Sequence, residues 1–434
     1  MKTLSSNRRQ CDGSVLMIAL LVALILGLTL ASYLLLVRSQ NASVMRSQAW
    51  NRALAVAEAG IEEALAQLNP AALNFNTNID RAANGWGSSG GFYGPAQRAL
   101  LDGDYGVVIS ADTFPVIYST GYTAVPALSA KLERVVRVEA TTAPSFQVAM
   151  AAKDTIEFKG TTVWIDSYDS ADQAYSTDGF YDPGKKKAGG DVASIGGLIN
   201  YQNADIKGKV LTGPTAPAPT GNTGEAGDLN WTGPGIQPGW YRNDFNVEFP
   251  DVLPPYSSGL QPTAIQGQGG ITTNLLGGFK YYVNGNMNLK AGDVMHVTGK
   301  ATLYVTGEFI MQSGGGKSSQ IIIAPNASLK LFVGGPSAIF TTVNTSGNAA
   351  TFQYYGLPSN TSLVWNGNAQ YLGTVYAPQA TFELGGGGNN TMDYQGACVV
   401  GAVVMNGKFN FHYDENLRRI GPINGYRVVA WREL

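Results

Sequence analysis

The run VLMIALLVALILGLTLASYLLLV, Val15 to Val37, carries no charged residue, and it constrains everything downstream. As one helix it is about 34 Å long, enough to cross a hydrocarbon core of about 30 Å. Three readings compete: a signal peptide that is removed, a plain membrane anchor, or one end of a longer helix. A secretory signal has a shorter apolar core and a small-x-small cleavage site, and LTLASYLLLV offers no such site. Lys2, Arg8 and Arg9 precede the run, and Arg38, Arg46 and Arg52 follow it. That balance does not set an orientation.

The next segment, SQNASVMRSQAWNRALAVAEAGIEEALAQLNP, has no proline before Pro70. Its apolar residues Trp50, Leu54, Ala57, Ile61, Ala64, Leu65 and Leu68 recur mostly at spacings of three and four. Glu58, Glu62 and Glu63 fall outside that stripe, and Asn69-Pro70 is a stop signal. The spacing predicts one helix from about Ser14 to Leu68, roughly 80 Å long. Its first half is apolar all round and its second half is amphipathic.

A short basic leader ending in Gly13, an apolar run and a continuing amphipathic helix resemble the layout of type IV pilin-like proteins. AEAGIEEAL, Ala57 to Leu65, is similar to the segment that follows the anchor in the PilX group of minor pilins. The resemblance implies cleavage by a prepilin peptidase between Gly13 and Ser14, N-methylation of Ser14 and a leader on the cytoplasmic side. It implies packing of Ile18, Trp50, Leu54 and Ile61 in the membrane or the filament. Major pilins carry Glu at the fifth mature position, which here is Ile18. A carboxylate in an apolar helix bundle is costly unless paired, and in a pilus it is thought to pair with a neighbouring subunit's amine. Its absence points to a minor or tip subunit. The implied partners are other pilin subunits, the prepilin peptidase and the cytoplasmic membrane.

Residues 70 to 103 read as loop, with AANGWGSSGGFYGPAQ rich in turn-formers. GDYGVVISAD, FPVIYSTGYTA and AKLERVVRVEATT read as three strands of a small antiparallel sheet. In the last, Leu132, Val136 and Val138 alternate with Glu133, Arg137 and Glu139, while Arg134 and Val135 break the pattern. This unit is expected to end near Thr142, with the domain boundary at 145.

From about Phe146 short β-prone runs alternate with Gly-Asn and Gly-Lys pairs. Val283, Val297 and Val305 are each followed two residues later by Gly. Short strands, single turns and no helices fit a parallel β-helix over 146–413, with a Greek-key sandwich as the alternative. Residues 212–262, rich in Pro and Gly, read as a strap between two groups of rungs. Residues 414–434, ending in YRVVAWREL, read as a strand that caps the last rung. IDSYDS, IIIAPNASLKLFVGG and the Trp-Arg-Glu ending resemble β-helical regions fused behind PilX-like N-termini in bacterial envelope proteins. The fold class is thus mainly β with one long N-terminal helix: leader 1–13, helix 14–69, small sheet 70–145, solenoid and closing strand.

Composition agrees. Charged residues are 14% and Gly is 54 of 434, against about 25% and 7% in ordinary soluble proteins. A net charge of −2 gives no electrostatic case for nucleic-acid binding. Cys11 and Cys398 lie on opposite sides of the apolar run, which argues against a disulfide when that run spans a membrane. Two histidines, His296 and His412, leave little for His-based chemistry.

Asp166, Asp169 and Asp172 stand at three-residue spacing without the alternating ligands or terminal Glu of an EF-hand. They are weak metal candidates, and turn roles are expected. Asp154, Glu157, Asp166 and Asp169 could pair as glycosidase carboxylates, but they are local in sequence and no partner set stands out. GKKKAGG, Lys185 to Lys187, reads as a solvated turn, and GGGGNN, Gly385 to Asn390, lacks the strand-to-helix context of a phosphate loop. The expectation is a non-enzymatic, cofactor-free minor pilin-like component of a bacterial envelope filament. Its β-helical head would serve adhesion, assembly priming or display, with a glycan or surface ligand as the head's partner. The alternatives are a membrane-anchored β-helix enzyme on polysaccharide and a secretion-system pseudopilin.

Overall fold

In a computed structural model of the chain, a single helix, α1, runs unbroken from Asp12 to Leu68. The structure describes residues 12–69, 85–112, 114–126, 131–160, 162–339, 343–344, 348–366, 370–385 and 392–434. The leader up to Cys11 and most of Gly385 to Asn390 lie outside them. The chain divides into two units. One holds Met1–Leu68, Asp80–Thr141 and Arg427–Leu434; the other holds Asn69–Ile79 and Thr142–Tyr426.

In the first unit, strands β1 (Ser88–Ser89), β2 (Phe92–Leu100), β3 (Gly103–Ser110), β4 (Val116–Ala124) and β5 (Lys131–Pro144) form an antiparallel meander. β4 alternates strictly, with Ile117, Ser119, Gly121 and Thr123 buried. The helix meets this sheet through small residues. Ala49, Ala53, Val56, Ala57, Ile61, Ala64 and Leu68 are buried. A Cβ placed on Gly121 would overlap the Ala53 carbonyl, and one on Gly60 would overlap the Ser119 hydroxyl. Backbone-to-backbone approach, rather than interdigitated large side chains, sets the helix on the sheet.

Two expectations are corrected in this unit. Residues 92–100 are strand, not loop. Only Ala96 of β2 is buried, so this outlying strand leaves no burial pattern in the sequence. Arg134 does not break the alternation of β5. It shares the buried face with Val136, Val138 and Ala140 and is 8% exposed. Its guanidinium lies 4.6 Å from the Trp50 ring centroid and pairs with Glu433. A buried cation is tolerated there because both its charge and its flat face are matched.

The second unit is a solenoid of parallel rungs. Three buried ladders run through it in register. The first is Tyr281–Leu303–Leu331–Tyr354–Val375–Cys398–Met150–Val192–Val210. The second is Leu289–Met311–Ile339–Trp365–Leu384–Met405–Phe158. The third is Met295–Ile321–Val343–Tyr371–Tyr394–Phe411–Ile165–Ile206–Ala226. Parallel pairing along all three ladders excludes the antiparallel sandwich; only the short pairs Thr263–Gln266 with Thr272–Leu276 and Ser313–Gly314 with Lys317–Ser318 are antiparallel among the described strands of this unit. In-register parallel strands stack like on like: Tyr394 lies face to face with Tyr371 at 4.5 Å and with Phe411 at 4.3 Å. The repeated Val-x-Gly phrase marks strand ends followed by corners. At one corner Gly285, Gly307 and Gly335 sit above one another, and a Cβ on Gly307 or Gly335 would meet the backbone of the rung next to it.

The stacking order departs from the chain order. The first rung, Met150–Tyr168, lies between Val192–Lys207 on one side and Met392–Asp414 on the other. The early rungs grow outward from it through Thr220–Arg242. The later rungs begin at the opposite end, near Thr272–Leu289, and stack back toward it. Residues 243–262 carry the chain between the ends. Phe245 N–H donates to the Thr212 carbonyl at 3.0 Å, and Asp251 lies 3.8 Å from Lys153 and accepts from Gln379 at 2.6 Å. The Tyr256 hydroxyl bonds the carbonyls of Tyr281 and Thr302 at 2.7 and 2.8 Å. This strap lies over an outward-facing ladder, Tyr282–Tyr304–Phe332–Tyr355–Tyr376, whose last member donates to the Pro250 carbonyl.

Two further expectations are corrected. The strap begins only after Arg242, because Thr220–Gly221, Glu225–Gly227, Gly235–Ile236 and Tyr241–Arg242 pair in parallel with earlier rungs. Their Pro and Gly mark tightly spaced corners. The tail does not cap the solenoid: the strand Ile423–Glu433 joins the six-stranded sheet beside β5. Its alternation signals a strand but not which sheet receives it.

Candidate functional site

Among the described residues, α1 is the one helix long and apolar enough to cross a membrane. Its side chains from Val15 to Leu36 are uncovered. The backbone of Gly13 and Ser14 is already helical. Ile18 is exposed in the apolar half, Trp50 is 47% exposed under the Arg134 guanidinium, and Leu54 is half-buried. Ile61 is buried in the core of its own unit, so its packing partner is this sheet rather than a neighbouring chain. The buried stripe is offset from the expected one, because Ala49, Ala53 and Gly60 contribute to it and Trp50 does not. Glu63 accepts from Arg98 and from the Tyr105 hydroxyl at 2.8 and 2.7 Å, which anchors the helix to β2 and β3.

The acidic run of the solenoid falls at the joint between first and last rungs. Register pairs Asp166 with His412 and Tyr168 with Asp414. Asp166 is fully buried and His412 is 2% exposed. One Asp166 oxygen lies 2.6 Å from His412 Nδ1, and the other accepts from Trp164 Nε1 and the Tyr181 hydroxyl, each at 2.7 Å. The Tyr181 ring stacks on the imidazole at 3.5 Å. Asp414, also buried, accepts from the backbone N–H of Ser170 and Asn416 and from the Ser170 hydroxyl. Burial nonetheless holds its carboxyl above the ordinary range. Asp169 goes the other way. Burial alone would raise it, but the Arg419 guanidinium at 2.5 Å and the Ala171 N–H outweigh that and lower it. Lys187 pairs with Glu415, which also accepts from Ser167.

These contacts join residues more than two hundred positions apart, and they close the seam between the two groups of rungs. Four of the acidic candidates have partners for their side chains. Asp166 has three donors, Asp169 is spent on Arg419, and Asp172 accepts from the Ala174 N–H at 2.8 Å. Glu157 pairs with Lys159 at 2.6 Å. Among the described residues, no group of three His, Cys, Asp or Glu side chains is placed to hold a metal. The Lys185–Lys187 run is not a solvated turn: Lys185 donates to the carbonyls of Gln173 and Ser176, and Lys186 lies 4.1 Å from the Trp164 ring centroid. Cys398 is a buried free thiol within the first ladder. Sequence reasoning missed His412, Tyr181, Glu415 and Arg419. The available signal was the shared β-prone texture of TVWIDSY and KFNFHYD, which pair residue for residue.

Residues 266–420 match the model of a domain of unknown function (DUF7305). The match spans the later group of rungs and leaves out the earlier group and the first unit. No curated protein matches the chain. Among solved structures, the chain is similar to the crystal structure of competence-associated pilin ComZ from Thermus thermophilus. Identity is 11%, coverage is 88% of this chain and 97% of that one, and the TM-score is 0.23. At that score the likeness establishes neither a shared fold nor a shared function.

Proposed function

We propose that the chain is a minor pilin-like structural component of a type IV pilus or related bacterial envelope filament. The solenoid would be a head for adhesion, assembly priming or surface display. One observation carries the reading: α1 passes without interruption from an uncovered apolar half into a half clamped on an antiparallel sheet. The apolar half suits a bilayer before assembly and neighbouring helices afterwards. In that setting Ile18, which needs no charge partner, fits a subunit that starts or ends a filament. Other pilin subunits, a prepilin peptidase and the cytoplasmic membrane are the partners of this reading, with a glycan or other surface ligand for the head. We read the solenoid as non-catalytic, because three of the acidic candidates, Asp166, Asp169 and Glu157, are engaged by His412, Arg419 and Lys159.

The test is the mass of the mature N-terminus in the native host. An N-methylated Ser14 supports the proposal. A chain that keeps Met1 and its leader in the membrane fraction overturns it.

A further inference from the structure

Lys207 is 3% exposed, the most deeply buried of the solenoid's ion-paired lysines. Its Nζ lies 2.8 Å from Asp205 Oδ1 and 3.6 Å from Glu225 Oε1. Asp205 and Glu225 are register partners on adjacent rungs, so their carboxyl groups stand side by side. Asp205 Oδ1 is buried without a hydrogen-bond donor although Nζ is at contact distance. Nζ instead donates to the Trp231 carbonyl at 2.8 Å, with the Trp164 ring centroid 5.5 Å away.

We propose that Lys207 and Asp205 condense into an intramolecular amide, with Glu225 as the proton relay. One proton passes from the ammonium to Asp205, leaving a neutral amine beside a carboxylic acid. The Nζ lone pair attacks Asp205 Cγ and forms the C–N bond. Glu225 takes the surplus proton from nitrogen and delivers it to the departing hydroxyl. The Cγ–O bond breaks and one water leaves; nothing is oxidised or reduced. Three conditions favour the step. The reacting atoms are held together on one strand, which removes the entropic cost of encounter. A desolvated ion pair is costly to keep, and burial raises the Asp205 carboxyl, with Lys207 opposing and Glu225 adding to the rise. The Trp231 carbonyl is already placed to accept from the product N–H. The amide replaces the Lys207–Asp205 ion pair near one end of the solenoid with a neutral group, and Glu225 keeps its charge. It is independent of the filament reading.

The experiment is peptide mass analysis of the full chain extracted in detergent and digested with trypsin. The fragment containing Asp205 and Lys207 should be lighter by one water and uncut after Lys207. Asp205→Asn should lose ammonia instead of water, because the leaving group changes. Glu225→Gln should keep the folded circular dichroism spectrum yet remain at full mass. An unmodified fragment from folded wild-type chain overturns the proposal. A cross-link from Lys207 to Glu225 overturns the assignment of Asp205 as the acyl donor.

Discussion

Gly121 of β4 lies directly beneath Ala53 of α1, with no room between them for a methyl group. Gly121→Ala should therefore destabilise the first unit by about 1–3 kcal/mol, the usual cost of overpacking. Gly106→Ala is the control. A Cβ there meets only Gln97 Cγ at an ordinary 3.9 Å, so it should be neutral or slightly stabilising. Thermal unfolding of both variants separates the outcomes, and equal melting temperatures would contradict the close approach.

The seam predicts a strong dependence on Asp166. Asp166→Ala leaves the Trp164 N–H, the Tyr181 hydroxyl and His412 without their shared acceptor. Breaking one partner of a buried pair costs about 3–5 kcal/mol. Because Asp166 and His412 act as a unit, the Asp166→Ala/His412→Ala double variant should lose less than the sum of the single losses. Urea unfolding followed by tryptophan fluorescence measures all three, and strict additivity would rule out the coupling.

Stability should respond to pH with two opposite limbs. Burial raises the carboxyls of Asp414 and Asp191 in the folded chain. The folded state then binds those protons more tightly than the unfolded chain. Their contribution is fully present below the unfolded pKa of about 3.9 and falls as pH rises through the raised folded values. Asp169 is lowered, so its contribution is present above the unfolded pKa and disappears as pH falls through the folded one. Acidification from neutrality should first raise the melting temperature and then, at lower pH, reduce it. Asp414→Asn should weaken the first limb in a pH series of melting curves.

Local features were legible in the sequence and distant pairings were not. The helix over Ser14–Leu68, the three central strands and the Val-x-Gly corners all follow from spacing within a few residues. Arg134 was misread because a charge on a buried face looks like a broken period; only its partners, Trp50 and Glu433, explain it. β2 was missed because one buried residue, Ala96, cannot generate an alternation. The acidic run at Asp166 was expected to serve turns, whereas Asp166 is buried against His412, 246 residues away. No local pattern encodes that distance. The same holds for the tail, whose sequence specifies a strand while the vacant edge beside β5 specifies its destination.

The position of the first rung in the middle of the stack has a temporal meaning. A chain made from N- to C-terminus produces Met150–Tyr168 early, yet one edge of that rung has no partner until Met392–Asp414 has been delivered. The solenoid cannot be completed progressively, as one that adds rungs in chain order can. Its closure waits for Met392–Asp414, and a chain interrupted before that rung carries an open parallel edge with the backbone groups that edges use to recruit other strands. Only a chain that has reached Asp414 can hide that edge.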